Sequence, residues 1–258
     1  MMNNRPKHLP AAFSNNQCHN NKRRGVNGMS SRVLVLGIGN VLWADEGFGV
    51  RAVEAFHERF EGPDSMRVMD GGTQGIYLVP HIQDADLLVI FDAIDYGLPP
   101  GTLKLLQDDD VPQFMGAKKM SLHQTGFQEV LAMAELLGGG PRAMLLVGGQ
   151  PQVLEDYGGS LSPSVRAQLE PALACAVDYL QSQGVMLKPR SGVIPVAEAL
   201  APASVALQPY EALRPPESEA CRQGDARVLQ SSRVVFDPKP VTPEQASLSV
   251  NIHRRRPD

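Results

Sequence analysis

Cysteine is scarce in this chain. Cys18, Cys175 and Cys221 are the only three among 258 residues, and no C-x-x-C pair occurs. An odd, scattered set argues against a disulfide framework or a structural zinc site and points to a reducing compartment. Charge of one sign is equally lacking. The net charge is -4 and the pI is near 5.9, so no concentrated basic face is expected for nucleic acid. The basic clusters Lys22-Arg23-Arg24 and Arg254-Arg255-Arg256 stand near the chain ends, where solvated termini are the ordinary reading. No apolar run reaches the roughly 18 residues of a membrane span, and the first residues lack the apolar core of a secretory signal. A soluble cytoplasmic protein is therefore expected. Two catalytic signatures are absent. Without H-E-x-x-H there is no standard zinc-protease helix, and without G-x-S-x-G there is no serine-hydrolase elbow. Cys175, mid-helix in an apolar setting, makes a poor nucleophile.

What is present is enough apolar residue, 43% of the chain, to fill a core. The patterning divides the chain in three. Residues 1–31 are rich in Asn, Lys and Arg, have no periodicity and are expected to be a disordered extension. Met29 stands just before the first pattern and is expected to be the physiological start, which intact-mass measurement from the native host would check. Residues 188–258 hold ten of the 21 prolines and few patterned apolar residues. They read as a mostly disordered tail, or else one that docks in extended form on a partner. Between them, residues 32–187 read as one domain.

Within that domain Val33-Leu34-Val35-Leu36, Leu87-Leu88-Val89-Ile90-Phe91 and residues 143–147 are continuous apolar runs, which suits strands buried on both faces. Residues 66–70 read as a short strand, 74–81 as a helical patch and 102–106 as an edge strand. A helix is expected over residues 45–60, with Asp45 as its N-cap and Val53, Phe56 and Phe60 on one face. A second runs over 125–137. A third opens at Ser162-Pro163 and reaches about residue 183, kinked at Pro171. Strands alternating with helices predict a single three-layer α/β domain, a twisted, mostly parallel sheet with helices on both faces. In such folds the site lies beyond the C-terminal ends of the strands.

The first strand ends in Gly37-Ile38-Gly39-Asn40. The dinucleotide fingerprint fails there, because its third glycine is Leu42, and Asp45-Glu46 would repel a pyrophosphate. The third strand ends in Asp92, which a turn-capping role would also explain. His123 lies in a loop before a helix, where a surface histidine is ordinary. Glu46 in a first helical turn is favoured by the macrodipole. Taken together, two carboxylates and an imidazole arrive at one rim from separate segments. Such oxygen and nitrogen donors suit borderline divalent ions such as nickel or zinc. Three protein ligands leave coordination positions open, as in reactive sites. Asp70 is a further carboxylate at a strand end, as suited to contacting substrate as to stabilising the turn Asp70-Gly71-Gly72.

Residues 32–184 resemble the hydrogenase maturation proteases, the endopeptidases specific for nickel–iron hydrogenase precursors. The resemblance rests on Gly37-Ile38-Gly39-Asn40, on Asp45-Glu46-Gly47-Phe48-Gly49-Val50-Arg51, and on Asp70-Gly71-Gly72-Thr73. It continues through Asp92-Ala93-Ile94, Pro100-Gly101-Thr102, Ser121-Leu122-His123-Gln124 and Leu169-Glu170-Pro171-Ala172, in matching order and spacing. It implies that Glu46, Asp92 and His123 are the metal-binding and catalytic residues. It also implies that the substrate is the large-subunit precursor of a nickel–iron hydrogenase, cut once to remove a C-terminal extension after nickel insertion. The nickel recognised would be the substrate's own, held by substrate thiolates. Either that metal polarises the scissile carbonyl or its water, or Glu46 or Asp92 acts as general base, as an aspartyl-type endopeptidase activity would require. No nucleic acid or membrane partner is implied, and a monomer is expected. The competing expectation is a non-catalytic nickel chaperone using the same ligands.

Overall fold

The structure, a computed structural model, describes residues 31–115 and 122–214, with the backbone alone at 113–115 and 122–126. The expectations for residues 1–30, for Met29 as a start and for residues 215–258 lie outside the described residues.

Strand β1 (Val33–Ile38) is buried throughout. A 3-10 turn (Ala44–Gly47) and helix α1 (Phe48–Arg59) follow, then a short strand β2 (Phe60–Glu61) and strand β3 (Met66–Gly72). A second 3-10 turn (Gly75–Leu78) leads into α2 (Val79–Gln83) and then β4 (Leu87–Ala93), again fully buried. Next come β5 (Leu103–Gln107), α3 (Asp110–Met115), α4 (Leu122–Leu136) and β6 (Ala143–Gly149). Helices α5 (Pro163–Arg166) and α6 (Leu169–Ser182), strand β7 (Lys188–Pro189), a 3-10 turn (Val196–Glu198) and α7 (Leu207–Ala212) complete the described chain.

The main sheet has the order β3-β1-β4-β6-β5. Four strands are parallel, and only β5 runs antiparallel, along the edge of β6. The three-layer α/β fold expected from the sequence is the fold observed. Because side chains alternate along each strand, the sheet feeds two cores. Val33, Val35, Val89, Phe91 and Val147 pack against Phe48, Val53 and Phe56 of α1 and Leu173, Ala176 and Leu180 of α6. Leu34, Leu36, Leu88, Ile90 and Leu146 pack against Ile82 of α2 and Phe127, Val130 and Leu131 of α4. Each fully buried large side chain contributes about 1.5–3 kcal/mol, so the apolar strands are anchored from both faces.

Three expectations need correcting. Asp45 does not cap α1. It lies in the 3-10 turn, and α1 begins three residues later with no side-chain cap. The long helix kinked at Pro171 is instead two helices. Proline has no N–H for the Ala167 carbonyl four residues back, and its ring crowds that carbonyl, so the helix breaks and Pro171 falls in the first turn of α6. The expected domain boundary after residue 187 also falls short. Residues 188–214 form a strap along the domain. Strand β7 pairs antiparallel with β2, Arg190 donates to the His57 carbonyl at 2.9 Å, and Arg51 of α1 donates to the Val205 carbonyl at 2.7 Å. This strap is held by backbone and charged contacts rather than by a periodic apolar stripe, which is why its pattern reads as tail.

Candidate functional site

The chain runs from β1 through α1 on one face to β3, then through α2 on the other face to β4. The loops after β1 and β4 therefore diverge, and a crevice opens between the C-terminal ends of these two central strands, where ligands bind in open α/β sheets. Glu46 and Asp92 both arrive there.

Asp92 is the sixth residue of β4. Two residues before it, Ile90 lies in the α4-side core, so Asp92 points to the same face. It is fully buried, and among the described residues neither carboxylate oxygen makes a well-formed hydrogen bond. Burial pushes its pKa well up; the nearby Ala93 N–H offsets this in part, and the Glu46 carboxylate raises it further. An ionised carboxylate in that position is costly without a counter-charge, so the site demands a proton or a cation.

Glu46 is half-buried in the 3-10 turn, and burial raises its pKa. The turn is tightly seated. Asn40 N donates to the Glu46 carbonyl at 3.2 Å and Glu46 N donates to the Trp43 carbonyl at 2.9 Å. Gly39 adopts φ +140°, and a Cβ there would lie 1.9 Å from the Glu46 carbonyl oxygen. Only glycine lets β1 turn this closely under the acid. Gly49 plays the same part for the helix, since a Cβ would meet both the Ile38 and Phe91 carbonyls at 2.2 Å.

His123 lies within the first turn of α4, not in a preceding loop. The helix starts three residues before residue 125, the start expected from an apolar pattern that begins at Phe127. Position 123 falls one turn before the buried Phe127 on the same helix face, and that face covers the side of the sheet to which Asp92 points. The His123 side chain itself lies outside the described residues. Among the described residues, no group of three or more His, Cys, Asp and Glu is placed to hold a metal ion.

Asp70 is not brought into this group. Its register partner is Gly37, whose missing Cβ would meet Val53 of α1, so Asp70 faces α1 on the opposite side of the sheet from Asp92. Its Oδ1 accepts from Gly72 N at 2.8 Å. Burial raises its pKa, opposed by that hydrogen bond and by Arg51. The turn-stabilising role is the one seen here.

Two site residues escaped the sequence reading. Asp45 is fully buried and binds the loop after β6. Its carboxylate accepts from Gln152 N (2.9 Å), Val153 N (2.8 Å), Ser162 N (2.7 Å) and Ser162 Oγ (2.9 Å). Gln150, at the end of β6, holds the loop after Asp92. Its Oε1 accepts from Tyr96 N (2.7 Å) and Leu98 N (3.1 Å), and its Nε2 donates to Asp95 at 3.0 Å. The strand-end rule that singles out Asp92 applies equally to Gly148-Gly149-Gln150. Above this, the Tyr96 ring covers Gly148, whose Cβ would meet Tyr96 Oη at 2.2 Å, and Lys104 Nζ sits 4.9 Å from the ring centre. Burial first, and Asp92 second, push the Tyr96 pKa up. Cys175 sits in α6, its pKa raised by burial and by Asp178.

The architecture defines the class, an open-sheet α/β domain with a buried carboxylate, Asp92, and a half-buried one, Glu46, where its central strands end. Comparison with known proteins gives that class its family. The sequence profile of the hydrogenase maturation proteases matches residues 50–179. The chain is 62% identical over 204 residues to a hydrogenase expression/formation protein, HupM, of Azotobacter chroococcum, covering 79% of this chain and 96% of that one. It is 41% identical over 163 residues to the hydrogenase 2 maturation protease of Escherichia coli, covering 63% and 98%. The structure matches that of the hydrogenase maturating endopeptidase HybD from Escherichia coli with a TM-score of 0.59 at 41% identity, over 62% of this chain and 98% of that chain. This chain belongs to the hydrogenase maturation protease family and is a peptidase. The chaperone alternative is not favoured. Among the described residues, no helix is long and apolar enough to cross a membrane.

Proposed function

We propose that this protein removes the C-terminal extension of the large-subunit precursor of a nickel–iron hydrogenase once that precursor carries nickel, acting as a cytoplasmic monomer. The reading rests chiefly on Asp92, a fully buried carboxylate with no well-formed hydrogen bond among the described residues, whose charge is disfavoured by burial and by Glu46. A divalent ion delivered by the substrate supplies the missing counter-charge. In this reading Glu46, Asp92 and His123 complete the coordination of the substrate's own nickel, whose other ligands are substrate thiolates. The donor set, two carboxylates and an imidazole, suits a borderline ion and leaves positions open for substrate.

Roles divide by exposure. Asp92, sealed from solvent, fixes charge. Glu46, half-buried with a raised pKa, has access to water and suits the general base. It takes a proton from the attacking water as the oxygen adds to the scissile carbonyl carbon. It returns that proton to the leaving nitrogen as the C–N bond breaks. The nickel, as part of the substrate, polarises the reacting groups. Asp70, which holds the Gly72 turn on the α1 face of the sheet, stands apart from this pair, and any contact it makes with substrate lies outside the chemistry. Metal loading then becomes the condition for cleavage.

The test is incubation with nickel-loaded and nickel-free precursor followed by mass analysis. Loss of the extension from the loaded form alone is expected. Equal cleavage of both forms, or of neither, would overturn the reading.

A further inference from the structure

We propose that Trp43 and Tyr157 form an apolar shelf on which the precursor's own chain lies beside the bond to be cut. The proposal rests on the peptidase reading above and adds the surface that holds the substrate. Trp43 is the only tryptophan in the protein. It meets Tyr157 edge to face, with ring centres 5.3 Å apart, yet both rings are exposed, Tyr157 at 65%. Leu42 and Val153 are exposed beside them and are tied in by the backbone. Gly158 N donates to the Leu42 carbonyl at 2.7 Å, and Asp45 N donates to the Val153 carbonyl at 3.1 Å. Single exposed apolar side chains are ordinary, but a linked group next to a site marks a contact surface.

The backbone is strained to present it. Ala44 has φ +42°, a left-handed conformation that a non-glycine residue rarely adopts. This pivot leaves Trp43 exposed and Asp45 buried. Asp45 then grips the Tyr157 loop from one side through Gln152, Val153 and Ser162. The C-terminal strap grips it from the other. Arg214 pairs with Asp156 at 2.9 Å, Tyr210 Oη donates to the Gly159 carbonyl at 3.4 Å, and Ser160 Oγ donates to Glu211 at 2.5 Å. A surface held rigid before binding loses less freedom when it binds.

The occupant follows from continuity with the site. Glu46 N donates to the Trp43 carbonyl, so shelf and carboxylate belong to one turn, and a polypeptide laid across Glu46 meets the rings. The four shelf side chains carry no formal charge, which fits an apolar, uncharged stretch of the precursor. Flat aromatic rings are effective anchors for such a stretch.

Steady-state cleavage of nickel-loaded precursor tests this, with melting temperature as the check on folding. Tyr157→Ala and Trp43→Ala should each raise KM at least about tenfold, a loss of about 1.4 kcal/mol of binding, while kcat stays within about twofold. Tyr157→Phe, which keeps the ring, should restore KM. Leu136→Ala, an exposed apolar residue at the far end of α4, should leave KM unchanged. An unchanged KM in Tyr157→Ala would overturn the proposal. So would a lower KM, because that would mean a segment of this chain covers the shelf and is displaced by substrate. If the peptidase reading itself were wrong, the wild type would not cut at all, and the two failures are thereby distinguished.

Discussion

Replacing Asp45 with asparagine tests how far the site depends on a residue that does no chemistry. The change is nearly isosteric, so packing is kept and only hydrogen bonding alters. In the native protein Oδ2 accepts from Gln152 N, Val153 N and Ser162 Oγ, and Oδ1 accepts from Ser162 N. An asparagine has one acceptor oxygen, and its NH2 group would face a backbone N–H wherever it is turned. At least one buried backbone donor therefore loses its partner, at about 1–3 kcal/mol, and the bonds that remain are no longer charge-assisted. The expected destabilisation is about 3–4 kcal/mol, measurable by urea denaturation with an unchanged m-value. Because Asp45 also fixes the turn that carries Glu46, cleavage of nickel-loaded precursor at saturating substrate should fall by at least about tenfold, as expected when a group acting only near the transition state is misplaced. A variant within about 0.5 kcal/mol of wild type and fully active would refute the reasoning.

Gln150→Ala removes the acceptor for Tyr96 N and Leu98 N and should cost about 2–4 kcal/mol, read by denaturation; a loss under about 0.5 kcal/mol would contradict the assigned tie. Asp70 has a folded-state pKa raised chiefly by burial, so its linked stability is complete below the unfolded value of about 3.9 and is lost as pH rises through the folded one. The melting temperature of Asp70→Asn should therefore gain on the wild type between about pH 4 and about pH 7.5, and a constant difference would show that Asp70 carries no such linkage. His123→Ala should melt as the wild type does but leave nickel-loaded precursor uncut; normal cleavage would remove His123 from the site.

The strands were legible because the sheet is buried on both faces. Val33-Leu34-Val35-Leu36 and Leu87-Leu88-Val89-Ile90-Phe91 have no other way to satisfy so much apolar surface. The site was partly legible for the same reason, since Glu46 and Asp92 stand where such strands end. Helix starts were less so. Positions 122–124 precede the helix expected from residue 125, and nothing in their composition announces a helix. Asp45 was misread because local propensity favours a helix cap, whereas its partners, Gln152, Val153 and Ser162, lie more than a hundred residues away. The strap over residues 188–214 escaped for a related reason. Its anchors, Arg190 on the His57 carbonyl and Arg214 on Asp156, are single polar contacts with no period for the sequence to display.

The claim beneath all of this is that Glu46, Asp92 and His123 act together on one nickel ion carried by the substrate. Mass analysis of precursor after incubation with wild type, Glu46→Gln, Asp92→Asn and His123→Ala, each with and without nickel, addresses it directly. The account predicts one C-terminal truncation, seen only with wild type and nickel. Truncation of nickel-free precursor, or by any of the three variants at the wild-type rate, would contradict it.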